Sequence, residues 1–349
     1  MPHGSRPSDW PSPIYDHPLP QRLHDIGAGR IQLPPSAARR HHYVPQFILR
    51  GFECRDLPKH LVHLDKRTGR PRQVPIASAG WEEHLYGAKS EAGEYDNRIE
   101  AFLGLIEGYA APALTQLLEG TATASEDESM PIALLLGLQL GRTPSALTEI
   151  GDLAEKLGQE QFELLVSDPT AFARMVSQAR DQQLGVEDLE SYRQDVLKAI
   201  RNGMHLRVSP KRYVGLDLMV SGFVEAGLAM SHADWVILHA DDASFITNDC
   251  GYARVSPVDG LPIESGIAFP IRSNVCLVVT PPTSDGTQVF RRRASTAQTA
   301  LINLRIYGWG ERFIFGCTQQ TVTSVRAAAR KDKRRSRPPT PTERLPGPP

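Results

Sequence analysis

The stretch RRHHYVPQFILRGF, residues 39–52, stands where a proline-strewn leader gives way to sequence able to fold. It sets two histidines, a tyrosine, a proline and Gln46 against the apolar run Phe47–Leu49. Whether it anchors the fold or opens an active site decides how the rest is read. Residues 42–50 fit either a short helix or an extended segment leading into the fold. Upstream, residues 1–38 carry eight prolines and little apolar periodicity, which reads as a disordered leader. Downstream, the folded region is expected as one domain over 39–329, followed by the basic, proline-rich tail 330–349.

That tail holds seven Lys or Arg against Asp332 and Glu343, a local excess of +5, so the net charge of −1 leaves the remainder near −6. An acidic body with a basic tail is not the footprint of a dedicated DNA-binding domain, which carries its excess on a folded face. The tail alone stays open as a nucleic-acid contact. Cys54, Cys250, Cys276 and Cys317 are scattered with no C-x-x-C pair, which argues against a zinc knuckle or a disulfide framework. The N-terminus lacks an apolar signal region, and the apolar stretch 130–141 is too short to span a bilayer. The expectation is a soluble cytoplasmic protein with no membrane partner.

Along the chain, HLVHLDKRTGRPRQVPI reads as a hairpin: strand 61–64, turn 66–70 and strand 72–76. Helices follow. Ile99, Phe102, Leu103, Ile106, Tyr109 and Ala110 recur at helical spacing over 93–119, with Gly120 as a stop. Further helices are expected over 128–143, 149–166, 170–181, 186–203 and 210–231, the last with a Ser209-Pro210 start. Beyond Met230 the period shortens towards two. DWVILHA, ASFITND, GIAFPIR and NVCLVVTP read as four strands of one antiparallel sheet. A helix at 295–307, the strand RFIFG and a helix at 319–329 close the domain. The fold class is therefore α+β: a bundle-like helical half, about 93–231, packed with a small antiparallel sheet, about 233–316.

Four places carry the candidate chemistry. His41 and His42 are adjacent, so their side chains diverge and the two do not ligate one metal together. One imidazole facing a site and two merely structural ones are both open. Asp96, Glu100 and Glu107 lie near one face of the first long helix; this is a wet face, or, for Glu107, an approach to the core. Gln139 and Arg142 sit three residues apart on an apolar helix. A buried guanidinium needs a partner, either a structural carboxylate such as Glu107 or a bound anion. FITND ends a strand in Asp249, which serves as a metal ligand or base, or closes an Asx-turn. There is no phosphate-binding loop, dinucleotide fingerprint, nucleophile elbow or H-E-x-x-H. The HNH nuclease pattern is also incomplete, since no Asn separates His60 from His63.

HHYVPQFILRGF resembles the N-terminal signature of the DUF4238 family, bacterial and fungal proteins with no assigned function. VHLDKRTGRPRQVPIASAGWEEHLYG is similar to the family's D-K-x-T-G turn and aromatic-rich stretch. IEGYAAPALTQL resembles its Glu-led helix, LQLGRTP its Gln-x-x-Arg-Thr-Pro helix end, and FITNDCGY its strand ending in Asn-Asp. The resemblance covers about 40–315 and places the signature on His41, His42, Gln46, Glu107, Gln139, Arg142 and Asp249. Cys250 stands where the family usually has Pro, which would loosen the turn holding Asp249.

The resemblance names no reaction, but such a set suits metal-assisted hydrolysis of a phosphodiester or other anionic substrate, a nuclease included. In that reading His41, His42, Glu107 and Asp249 are catalytic. His42, Glu107 and Asp249 hold a divalent ion such as Mg or Mn, and Gln46, Gln139 and Arg142 bind substrate. The alternative is a non-enzymatic binding or interaction protein whose signature residues form a structural network centred on Arg142 and Glu107.

Overall fold

The computed structural model describes residues 19–27, 30–33, 36–89, 93–120, 126–180, 188–202, 212–241, 243–256, 266–283 and 288–332. The Ser209-Pro210 helix start and nearly all of the basic tail lie outside these residues. The chain divides into two compact units, residues 1–144 with 220–349, and residues 145–219, where the sequence suggests one domain. The α+β class holds, with helices beside mostly antiparallel sheets.

In the larger unit, α1 (Leu19–Gly27) forms within the leader expected to lack structure. The opening motif then splits into β1 (Arg40–His42) and α2 (Gln46–Arg50). Pro45 sets where α2 begins: its ring keeps Val44 extended, so the helix starts only after it, at Gln46. Gly51 closes α2 where a Cβ would lie 2.2 Å from the carbonyl oxygen of Ile271, so only glycine admits the close approach of the two chains. The hairpin appears as β2 (His60–Asp65) and β3 (Pro71–Pro75), followed by β4 (Trp81–Glu83), β5 (Ala88–Lys89) and β6 (Tyr95–Asp96). β4 pairs antiparallel with β1, setting His41 opposite Glu82.

The first long helix, α3, runs Arg98–Glu119, and Gly120 ends it at a φ of 74°, the left-handed conformation that favours glycine. α4 covers Glu126–Gln139, shorter than expected: Leu140 and Gly141 donate to Gly137 and Leu138, three residues back, which tightens and ends the helix. Arg142 therefore lies in the turn beyond α4, not on it. Pro144 does not stop a helix but starts α5 (Pro144–Ser167), a favoured first-turn position. α6 (Pro169–Arg180), α7 (Leu189–Arg201) and α8 (Arg212–Ser231) follow. α3 and the Val214–Ser231 part of α8 are long and apolar enough to cross a membrane by length and composition, which the reading of 130–141 alone overlooked.

The smaller unit packs Val166, Phe172 and Val176 against Phe162, Met175, Leu189, Val196, Leu197 and Ile200. Arg193 caps the end of α5 by donating to the carbonyls of Val166 at 3.0 Å and Ser167 at 3.3 Å.

The strands form two main sheets rather than one. β7 (Asp234–Ala240), β9 (Ala253–Val255), β10 (Gly266–Arg272), β11 (Val275–Thr280) and β12 (Val289–Ala294) make a five-stranded sheet in the order β12-β7-β11-β10-β9. β12 runs parallel to β7 at its edge. FITND instead supplies β8 (Thr247–Asn248) to a second sheet, β3-β2-β13-β8. After α9 (Thr296–Trp309), β13 (Phe313–Gly316) pairs with both β2 and β8, and α10 (Gln319–Asp332) follows.

Two motifs grip the connection from α9 to β13. In D-K-R-T-G, Asp65 turns the chain by accepting from the amides of Arg67 and Gly69, and Lys66 donates to the carbonyls of Tyr307 and Gly310. From the other side the Asp249 carboxylate accepts from the amides of Glu311 at 2.8 Å, Arg312 at 2.6 Å and Phe313 at 2.8 Å. Removing it strands three donors, each costing about 1–3 kcal/mol if left unmet. Asp249→Ala is accordingly expected to destabilise the protein by about 3 kcal/mol or more in urea unfolding; an unchanged midpoint would contradict this account of the turn.

Candidate functional site

The signature residues all lie in the larger unit, and Arg142 is their centre. Its side chain is 2% exposed, where an unpaired guanidinium would cost several kcal/mol. Each of its nitrogens meets an acceptor. One terminal nitrogen lies 2.8 Å from Glu107 Oε1, the other donates to the carbonyl of His42 at 2.6 Å, and Nε lies 3.4 Å from the Tyr86 hydroxyl. That hydroxyl donates to the Arg142 carbonyl at 2.6 Å. Burial opposes the Arg142 charge, but Tyr86 and Glu107, with a smaller contribution from Glu100, outweigh it and keep the guanidinium protonated. The structural partner considered from sequence, Glu107, is the one present.

The two histidines separate as their adjacency requires. His41 is wholly buried, stacked on Tyr86 with ring centroids 5.6 Å apart. Its Nδ1 accepts from the amide of Tyr86 at 3.0 Å, so Nε2 is the nitrogen that donates to the carbonyl of Ala38, also at 3.0 Å. This tautomer fastens β1 to the segment after β4. His42 is half-buried and meets the Gln46 amide at 3.2 Å. Burial above all, with the charges of Arg142 and Arg40 and against a main-chain bond to Ala77, lowers His42 to about 4, leaving a neutral imidazole at physiological pH.

Gln139 is buried and bridges two segments, donating to the carbonyls of Tyr43 at 2.8 Å and Cys250 at 2.9 Å. Gly251 lets it in: the φ there is 77°, and a Cβ would lie 3.0 Å from the Gln139 amide. The departure from the family pattern is harmless here, since the Cys250 amide donates to Asn248 Oδ1 at 3.0 Å, a bond proline cannot make. Burial pushes the Asp249 carboxyl up, while the amides of Phe313, Arg312 and Glu311 hold it down.

The constellation thus has two parts. His42, Gln46, Glu107 and Arg142 gather with Tyr86, while Asp249 turns to residues 311–313 and Gln139 bridges between the opening motif and the turn at Cys250. Among the described residues no three His, Cys, Asp or Glu side chains form a group that could hold a metal ion. His42, Glu107 and Asp249 are therefore not one ligand set.

Sequence reasoning missed Tyr86 and undervalued Glu100. Tyr86 lies in a turn segment with no periodicity to mark it. Of the supposed wet stripe, Asp96 precedes α3 and pairs with Arg98. Glu100, seven residues before Glu107 and so on nearly the same face, has a buried Oε2 with no hydrogen-bond partner. Burial first, then Glu107 against Arg142, raises its carboxyl to about 7.

These shifts oppose one another. Between pH 6.5 and 4 the unfolded chain protonates His42 before the folded one does, so stability falls on acidification. Between about 4.5 and 7 folded Glu100 holds a proton that the unfolded chain has released, so its contribution grows on acidification. Relative to Glu100→Gln, the wild type should gain in melting temperature as pH falls from 7 to 4.5; a difference that does not vary with pH would refute the protonated carboxyl.

No curated protein and no solved structure matches the chain significantly. Residues 40–320 match the family model described as a protein of unknown function (DUF4238), and the chain belongs to that family.

Proposed function

We propose that this is a binding or interaction protein, and that its signature side chains are a polar frame rather than a reaction centre. One observation carries this. His41, Gln139, Arg142 and Asp249, the buried members, all direct hydrogen bonds to main-chain atoms of distant segments. A buried polar network rigidifies a core and specifies its arrangement where its groups are paired; the Arg142 nitrogens are all occupied by protein groups, and Gln139 Oε1 is the member atom left without a partner.

A second reading, a metal-dependent hydrolase of phosphodiesters or other anionic substrates, with nucleic acid among them, is favoured by a different observation. His42, Gln46 and Glu107 are the half-buried signature members, and Glu100 sits beside them with a raised carboxyl. Mg or Mn would then be held by one or two carboxylates together with substrate oxygens, without Asp249.

Unfolding and a turnover screen separate the two. For the frame, Glu107→Leu should cost about 3–5 kcal/mol by uncovering a buried charge, and Glu107→Leu/Arg142→Leu should recover part of that loss. Wild type should not turn over bis(p-nitrophenyl) phosphate, single-stranded DNA or RNA with Mg or Mn. Metal-dependent turnover that falls about a hundredfold or more in folded Glu100→Gln would overturn the frame as the whole function and establish the hydrolase.

A further inference from the structure

Ten large hydrophobic side chains are exposed among the described residues, and six of them, Leu153, Leu157, Leu164, Leu165, Tyr192 and Leu218, fall within residues 145–219. This is the smaller of the two units, so its apolar exposure is concentrated rather than scattered, and concentrated exposure marks interaction surfaces. Three of the six form a stripe. Leu153, Leu157 and Leu164 on α5 are spaced by four and seven residues, which keeps them on one face of a helix. Their exposures are 50%, 44% and 71%.

The stripe is not the edge of the unit's own core. That core takes Phe162 and Val166 from α5, and Val166 lies nine residues, about two and a half turns, from Leu157 and so on the opposite side. From Leu153 to Leu164 the stripe runs about 16 Å, the length of three helical turns.

Its charge selects the occupant. Glu160 lies between Leu157 and Leu164 on the same face, and Glu163 and Asp152 flank it, all three exposed against the single ammonium of Lys156 on that side. A second copy laid on this face would set carboxylate against carboxylate. An anionic membrane surface would be repelled. A helix with leucine-like residues at the same spacing and Lys or Arg beside them satisfies both the apolar stripe and the charge.

We propose that the exposed Leu153–Leu157–Leu164 face of α5 is a docking surface for a basic amphipathic helix of a partner protein. This gives the interaction reading a partner class, and it rests on that reading only in assigning the chain a partner, since none of these residues belongs to the polar frame. Failure here leaves the Glu107 and Arg142 unfolding result untouched, and the reverse also holds.

The test uses the full chain and two synthetic helical peptides with identical leucine spacing, one flanked by Lys and one by Glu, followed by fluorescence anisotropy. The Lys peptide should bind, more weakly at high salt, and the Glu peptide should not. Leu157→Ser/Leu164→Ser should weaken binding at least about tenfold with helix content unchanged by circular dichroism. Glu160→Lys/Glu163→Lys should reverse the preference between the peptides, a result that loss of folding cannot mimic. Four outcomes overturn the proposal: no binding of the Lys peptide; equal binding by wild type and both variants; a dimer in sedimentation that Leu157→Ser/Leu164→Ser dissolves, which assigns the face to a second copy; or attachment to phosphatidylcholine vesicles lost in that variant, which assigns it to a membrane.

Discussion

A guanidinium that is 2% exposed must be answered on every side, and the organisation around Arg142 follows from that requirement. Its partners come from three places in the chain, the main chain of His42 at the end of β1, Tyr86 after β4 and Glu107 on α3, and all three meet at the turn beyond α4 that carries Arg142. Each hydrophobic layer in a domain can slide at modest cost, because apolar contact is non-directional. Charge-assisted hydrogen bonds cannot slide in that way. Arg142 therefore fixes the register in which the opening motif meets the helices, and the side chains of His41 and Gln139 fasten the same segment to Tyr86 and to the turn at Cys250.

A second fixed point lies at residues 310–313, where the chain passes from α9 into β13. Lys66 and Asp249 reach it from separate parts of the sequence, one by donating to carbonyls and the other by accepting from amides. Arg312 also returns an ion pair to Asp65 at 3.0 Å. The effect is to close the four-stranded sheet, in which β13 must find partners more than sixty residues away on one side and far more on the other. Non-local pairing of this kind carries a loop-closure cost, and the polar clamps offset it at the one loop where the strands converge. The D-K-R-T-G turn and the strand end at Asp249, a candidate metal ligand or base in sequence, thereby share a structural explanation.

The hairpin at 60–75 was legible because its turn is written locally in D-K-R-T-G, and β7, β10 and β11 because their apolar runs are bounded by turn residues. β8 was misplaced because two residues carry no period; only its partner β13 assigns it to a sheet. The parallel edge strand β12 escaped notice because three consecutive arginines give no alternation. Arg142 was read onto the helix because apolar residues continue through Leu140, whereas α4 ends in the tighter turns that Leu140 and Gly141 make. The Arg142–Glu107 pairing was open to chemical reasoning, since a buried cation demands an anion. Tyr86 and the buried oxygen of Glu100 were not, because burial of a polar atom is set by neighbours that periodicity does not name.

The most direct test of the frame is hydrogen exchange by mass spectrometry on folded Arg142→Met beside the wild type. If Arg142 holds the segments together, exchange should speed up jointly in residues 39–46, in 84–87 and along 98–110, although these are far apart in sequence, while the five-stranded sheet keeps its protection. A change confined to the turn at residues 140–144 would contradict the account, because it would mean that the segments hold their arrangement without the guanidinium.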